Sequence, residues 1–194
     1  MAFTLFGIKV YISYFFISML TILSAVDETE IFVPMVLSII LHESAHLLIL
    51  FLFGCKIGKI KLTICEIGIE YLTPPDKTAT LFSLVAGPIM NFTVSLIFLY
   101  FGIDLLFGIN LILGFINLLP IKGLDGGSVI EKIFEGHISN KMTSLLLNVT
   151  SVFTVIVFLI LNFSLLDNNY SVYIFCIYLI LPIILKNLLK EKRI

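Results

Sequence analysis

Charged side chains are scarce in this sequence. Asp, Glu, Lys and Arg make up 13% of its 194 residues, while 59% are hydrophobic and the mean hydropathy is +1.13. A soluble domain carries about 25% charged residues, so the composition excludes an ordinary soluble protein and indicates a membrane protein with several spans. The sequence has no basic patch interleaved with aromatic residues, so nucleic acid is not an expected partner.

Cysteine is also rare and scattered. Cys55, Cys65 and Cys176 show no C-x-x-C spacing, which argues against a disulfide framework and against a cysteine zinc site. We interpret them as small buried apolar residues. The first apolar run is not followed by a small-residue cleavage site, so it is expected to be a first membrane span and not a removed signal peptide.

Histidine is the third scarce residue type, yet two of the three histidines form a pattern. His42 and His46 are four residues apart, which places both on one face of a helix, where they can bind the same metal ion. Glu43 lies beside the first of them and can reach a metal-bound water and take its proton. This H-E-x-x-H pattern is typical of zinc hydrolases.

The surroundings of this pattern are unusual, because residues 31–53 are otherwise apolar and long enough to span a bilayer. Ionisable groups at that depth are costly and point to a functional site. A purely structural cluster of hydrogen-bonded side chains is the alternative interpretation.

The hydropathy pattern predicts an all-α polytopic membrane protein with six transmembrane helices. A short β-hairpin is expected between helices 2 and 3, because residues 59–64 alternate with period two and a second short run follows at 67–71. Its edge could pair with an extended substrate segment, or it could be a simple connection. The six spans lie at about 9–26, 31–53, 78–102, from 105 with an interruption, 142–165 and 171–187.

The charges predict the orientation of these spans. With six crossings, all 12 Lys and Arg residues fall on the side of the two termini. The positive-inside rule therefore predicts a multi-pass protein of the cell membrane with both termini in the cytoplasm. The opposite side receives only acidic charges: Asp27, Glu28, Glu30, Asp104 and Asp167.

The interruption in the fourth span is the second informative stretch. Pro120 and three following glycines break a helix at membrane depth, which is tolerated only where protein or a water-filled cavity satisfies the backbone. Asp125 lies in this break. Because a catalytic zinc takes three protein ligands and one open position, Asp125 is the best third ligand. More distant candidates, expected on the surface, are Glu131, Glu135 and His137.

Asn91 is a polar residue in the third span, four residues after Gly87 and three after Pro88. An amide in lipid needs a partner, so Asn91 either joins two helices or supports the metal ligands from behind.

Three motifs occur in order on successive spans. They are His42-Glu43-x-x-His46, Gly87-Pro88-x-x-Asn91 and Asn117-x-x-Pro120-x-x-x-Leu124-Asp125-Gly126-Gly127. Together they resemble the site-2 proteases, a family of intramembrane zinc metalloproteases, over residues 31–135. The short form is most similar to the branch that contains stage IV sporulation protein FB.

This resemblance implies one Zn²⁺ per chain, bound by His42, His46 and Asp125, with Glu43 activating water. It also implies that Asn91 and Asn117 line the substrate region or stabilise the oxyanion. The expected substrate is a transmembrane protein or a membrane-bound pro-protein, such as a sporulation pro-sigma factor, and regulatory membrane partners are possible.

The sequence departs from the family pattern at Ala45, often Gly, and at Lys122-Gly123, often with a second proline. A single domain over 1–194 is expected, without the CBS domain of the sporulation proteases and without a PDZ domain.

Three other functions stay open from the sequence. One is a membrane protease with a glutamate as third ligand. The others are a metal transporter and a catalytically inactive scaffold.

Overall fold

A computed structural model describes residues 2–5, 7–28, 30–62 and 67–165, together with 173, 176 and 177. The chain divides into two compact units, Met1–Gly114 and Phe115–Ile194. The predicted sixth span lies almost entirely outside the described residues, as does the turn of the predicted hairpin. The single domain therefore stays a prediction.

The described part is mostly helical, with one small sheet. Three helical segments, Phe32–Leu52, Lys77–Tyr100 and Asn140–Ile160, are long and apolar enough to cross a membrane, whereas the apolar helices Tyr14–Val26 and Asp104–Leu118 are shorter. The prediction of six transmembrane helices is thus supported for three. The elements are β1 (Ala2–Leu5), β2 (Ile8–Ile12), α1 (Tyr14–Val26), α2 (Phe32–Leu52), β3 (Ile57–Leu62), β4 (Ile67–Tyr71), α3 (Lys77–Tyr100), α4 (Asp104–Leu118), α5 (Asp125–Phe134) and α6 (Asn140–Leu165).

The prediction of a first membrane helix over 9–26 is wrong in its first part. Residues 8–12 form β2, and α1 begins only at Tyr14, after Ser13, whose hydroxyl accepts a hydrogen bond from the Phe16 amide at 3.0 Å. The reason is local: Ile8-Lys9-Val10 alternates with period two and pairs with β3, and Ser13 is a favourable N-cap. Hydropathy averaged over the segment reveals neither the period-two pattern nor the N-cap.

The two strands of the predicted hairpin pair with each other and belong to a larger sheet, so the mostly helical fold contains two strands more than the sequence predicts. Four strands lie in the order β1-β2-β3-β4, with β2 and β3 parallel and the other two pairs antiparallel. Strand β3 is therefore paired on both sides, and of the two predicted strands only β4 lies at an edge. Pairing of that edge with a substrate stays a prediction.

An ion-pair cluster joins β3 to β4. Lys59 and Lys61 contact the Glu70 carboxylate at 2.8 and 2.5 Å. Their hydrogen bonds and positive charges lower the pKa of Glu70 to about 2, so it stays ionised at neutral pH.

The predicted break of the fourth span is confirmed, because α4 ends at Leu118 and α5 begins at Asp125. Side chains of α6 satisfy the interrupted backbone. The Thr150 hydroxyl donates to the Pro120 carbonyl at 2.6 Å, and the Lys122 amide donates to the Ser151 hydroxyl at 3.3 Å. Protein side chains thus supply the hydrogen bonds that the sequence pattern requires for this broken backbone.

Close packing holds the same break in place. Ile121 is fully buried and packs with Val155 and Cys176. A Cβ on Gly126 or Gly127 would overlap a main-chain carbonyl of the preceding loop, so only glycine fits at both positions. The glycines therefore set where α5 can begin.

We predict that combining Thr150→Val with Ser151→Ala destabilises the protein by about 1–3 kcal/mol for each backbone group left without its partner. The measurement is thermal unfolding in detergent. Thr154→Val is the matched control, because among the described residues the Thr154 hydroxyl donates to the Thr150 carbonyl of its own helix. Equal losses in the control and in the double variant would contradict this account of the break.

Candidate metal centre

The buried face of α2 carries the two motif histidines. Its buried positions recur every three or four residues, as expected for one side of a helix that packs on a neighbour. Glu43, one residue after His42, is half-buried. The buried residues are Ser38, His42, Ala45, His46 and Leu50.

His46 is held to α3 by two hydrogen bonds with a single residue. Its Nδ1 lies 2.7 Å from the main-chain oxygen of Ser83, and the Ser83 hydroxyl donates to the His46 carbonyl at 3.1 Å. A carbonyl oxygen only accepts, so Nδ1 of His46 carries the proton. Its Nε2 therefore presents a lone pair.

His42 is held in the same way by a side chain. Its Nδ1 hydrogen-bonds the Oδ1 of Asn91, which is fully buried in α3. Because an amide oxygen also only accepts, His42 too is protonated on Nδ1. Asn91 therefore both joins two helices and supports a candidate metal ligand from behind, the two alternatives that the sequence left open.

The two Nε2 atoms then face each other at 3.1 Å, each with its lone pair. Two lone pairs at this distance repel each other unless a proton or a metal ion lies between them. Two zinc–nitrogen bonds of 2.0–2.1 Å at a tetrahedral angle would separate the nitrogens by about 3.3 Å. The histidine pair therefore fits a zinc ion.

Gly87 allows the two histidine rings to lie against α3. A Cβ at this position would be 2.5 Å from Nε2 of His46 and 2.7 Å from Cε1 of His42. The next residue, Pro88, is buried within α3. The second motif thus provides the surface on which the first motif packs.

The second unit contains the remaining predicted site residues. Asp125 is half-buried in the first turn of α5, where the helix dipole favours a negative charge. Asn117 is half-buried in the last turn of α4, and Pro120 lies in the break. The structure thus gathers these three around one interruption of the chain.

The alternative ligands lie on the surface. Glu131 and Glu135 are exposed and lie 4.0 and 2.7 Å from the amino groups of Lys122 and Lys132. His137 is exposed as well. This agrees with the prediction that the segment is a solvated face.

Three supporting residues were missed from the sequence. Ser38 and Asn110 are buried polar residues in apolar helices, so the argument used for Asn91 could have found them. Ser83 acts partly through its main-chain oxygen, which leaves no signal in the residue type.

The described structure thus contains membrane-length helices with a buried histidine pair suited to a metal. Residues 101–160 match the model of Peptidase family M50, a stretch that contains Asp125 but not the histidine pair. This match and the sequence similarity to a curated zinc metalloprotease support a relation to this family, known also as the site-2 proteases.

The chain is 29% identical over 117 residues to a curated protein of Methanocaldococcus jannaschii, zinc metalloprotease MJ0392. That match covers 54% of this chain and 34% of the relative, so the chain spans about a third of its length. The fold is similar to that of the site-2 protease from the same organism, with a TM-score of 0.65 and 22% identity over 92% of this chain and 91% of that one.

We predict that Gly87→Ala weakens zinc binding by about tenfold or more, because the new methyl group would displace the histidine rings. Zinc content and competition with a chelator measure this in purified protein. Gly108→Ala is the control, since a Cβ there meets no atom within 4 Å. Zinc binding unchanged by Gly87→Ala would refute the packing argument.

Proposed function

We propose that this chain is an intramembrane zinc endopeptidase that cleaves a transmembrane protein or a membrane-bound pro-protein near the cytoplasmic face. The observation that carries the proposal is the facing pair of Nε2 atoms on His42 and His46, held 3.1 Å apart in an apolar helix. A protein with several membrane spans and both termini in the cytoplasm is part of the proposal, supported by the distribution of its charges.

His42, His46 and Asp125 would hold one zinc ion per chain. When bound, zinc supplies Lewis acidity, which makes water more acidic and a carbonyl carbon more electrophilic. Asp125 is favoured over Glu131 and Glu135 as the third ligand, because it is half-buried whereas both glutamates are exposed beside lysines.

Glu43 is the proposed general base. Its carboxylate is half-buried and adjacent in sequence to His42, so it can take a proton from the attacking water. The same carboxyl group can then return the proton to the leaving amine. General acid–base catalysis by such a group contributes about 10²–10⁴-fold in rate.

Asn117 is the better candidate for stabilising the oxyanion. The amide nitrogen of Asn91 already donates to Asn110 at 3.0 Å and lies 3.5 Å from the Ser38 carbonyl. Asn91 is thus committed to supporting His42, and we assign the role of donor to the substrate to Asn117.

A helical substrate must unwind locally before its carbonyl groups can be attacked. The broken segment between α4 and α5 and the exposed edge of β4 are the elements proposed to receive it. Processing of a pro-sigma factor in sporulation rests on the resemblance alone, and so do regulatory membrane partners.

We predict that purified wild-type protein contains zinc and cleaves a transmembrane test substrate. Glu43→Gln should keep the zinc and lose activity by about 10²–10⁴-fold. Asp125→Ala should lose both, whereas Glu131→Ala and Glu135→Ala, the matched carboxylate controls, should lose neither. Metal analysis and gel-based cleavage in detergent give the two readouts.

Each alternative function predicts a different result. Loss of zinc in Glu131→Ala or Glu135→Ala, with Asp125→Ala unaffected, would indicate the protease type with a glutamate ligand. Zinc bound without cleavage of any of several substrates would favour a scaffold, or a transporter if vesicles show metal flux. Wild-type protein without zinc would refute the site itself.

A further inference from the structure

A chain of buried polar side chains runs behind His42. Asn91 and Asn110 are 0% exposed, and Ser38 is 1% exposed. They belong to α3, α4 and α2, and hydrogen bonds connect all three. Asn110 is part of none of the three sequence motifs, so its burial needs a separate explanation.

The orientation of the Asn110 amide is fixed by two neighbouring oxygens that can only accept a hydrogen bond from it. Its Nδ2 lies 2.9 Å from the Leu106 carbonyl, which only accepts. The same Nδ2 is 2.9 Å from the Ser38 hydroxyl, whose one hydrogen is donated to the Pro34 carbonyl at 2.8 Å. Both contacts require NH₂ on this side, so the Asn110 oxygen must face Asn91.

This oxygen determines the orientation of the next amide. Asn91 must direct its NH₂ group to the Asn110 oxygen, which at 3.0 Å is nearer than the other acceptor on that side, the Ser38 carbonyl at 3.5 Å. Its own oxygen then faces Nδ1 of His42, which must carry the proton of that hydrogen bond. Two main-chain carbonyls therefore determine every donor and acceptor in this chain of hydrogen bonds, as far as the imidazole of His42.

We propose that Asn110 is a positioning residue of the metal centre: it holds the Asn91 amide in one orientation and so keeps His42 protonated on Nδ1, with Nε2 available to a metal. With the Asn91 amide reversed, its NH₂ group would face Nδ1. His42 would then carry its proton on Nε2 and could not bind through that atom. This inference rests on the proposed role of His42 as a ligand.

Packing alone does not require an amide at position 110. A leucine of similar size would suit an apolar helix, and α3 is already joined to α4 by the Ser95 hydroxyl, which donates to the Phe107 carbonyl at 3.1 Å. A buried amide is costly unless fully satisfied. The role of Asn110 is explained by the continuous series of hydrogen bonds from Pro34 to His42, in which its amide is fully paired.

The direct test uses metal-free protein and needs no activity. Histidine labelled with ¹⁵N shows by NMR which ring nitrogen carries the proton, at about pH 8, above the ordinary histidine pKa of about 6.5. Wild type should show His42 protonated on Nδ1, and Asn110→Leu should show a mixture of the two tautomers. His42→Ala identifies the signal, and exposed His137 is an internal reference.

The second test is a double-mutant cycle in zinc affinity, measured by competition with a chelator. Asn110→Leu should weaken binding about tenfold, at the lower end of effects for groups that orient ligands. In an Asn91→Ala background the same change should cost less than about twofold, because no amide remains for Asn110 to orient. Ser95→Ala, which removes another buried α3–α4 bond, should have no effect.

The outcomes separate this inference from the proposed function. An Nδ1–H tautomer unchanged in Asn110→Leu would overturn the positioning role, and so would equal losses of affinity in both backgrounds, which a packing effect produces. Wild-type protein that binds no zinc would refute the proposed function, while the tautomer measurement would still decide whether Asn110 orients His42.

Discussion

The candidate metal centre depends on the close approach of α2 and α3 at Gly87. With no side chain at this position, both histidine rings lie against α3, within reach of Ser83 and Asn91. Each ring donates a hydrogen bond from its Nδ1–H to an oxygen that can only accept. The lone pairs of the two Nε2 atoms therefore face each other. A cation between them would remove the repulsion.

Two groups of polar side chains in this apolar chain support the backbone or the candidate metal ligands. In the first unit they form the supporting chain behind His42. In the second unit, Thr150 and Ser151 of α6 satisfy the backbone freed near Pro120. Since an unsatisfied polar group in lipid costs several kcal/mol, these hydrogen bonds help to hold the fold and the site.

The sequence was sufficient for the parts of the site that follow from fixed spacing. Two histidines at i and i+4 must share a helix face, and a proline followed by glycines must interrupt a helix. It was insufficient where pairing between distant segments decides the outcome. Residues 8–12 became a strand because β3 is available as a partner, and the role of Asn110 depends on which amide faces it.

The first part of the chain shows why strands β1 and β2 were not predicted. Lys9 alternates with Ile8 and Val10 in a pattern typical of a strand, but an average over eighteen residues reports only that the segment is apolar. Ser83 is a different case, because its main-chain oxygen holds His46, and any residue type supplies such an oxygen.

X-ray absorption spectroscopy of the zinc-loaded protein tests the central claim most directly. The account predicts scattering from two imidazole rings, with nitrogen at 2.0–2.1 Å and further oxygen at 2.0–2.2 Å, as expected for two histidines and a carboxylate. In His42→Ala or His46→Ala the imidazole signal should fall to one ring or the metal should be lost. A spectrum with sulfur at about 2.3 Å, or without imidazole scattering, would contradict it.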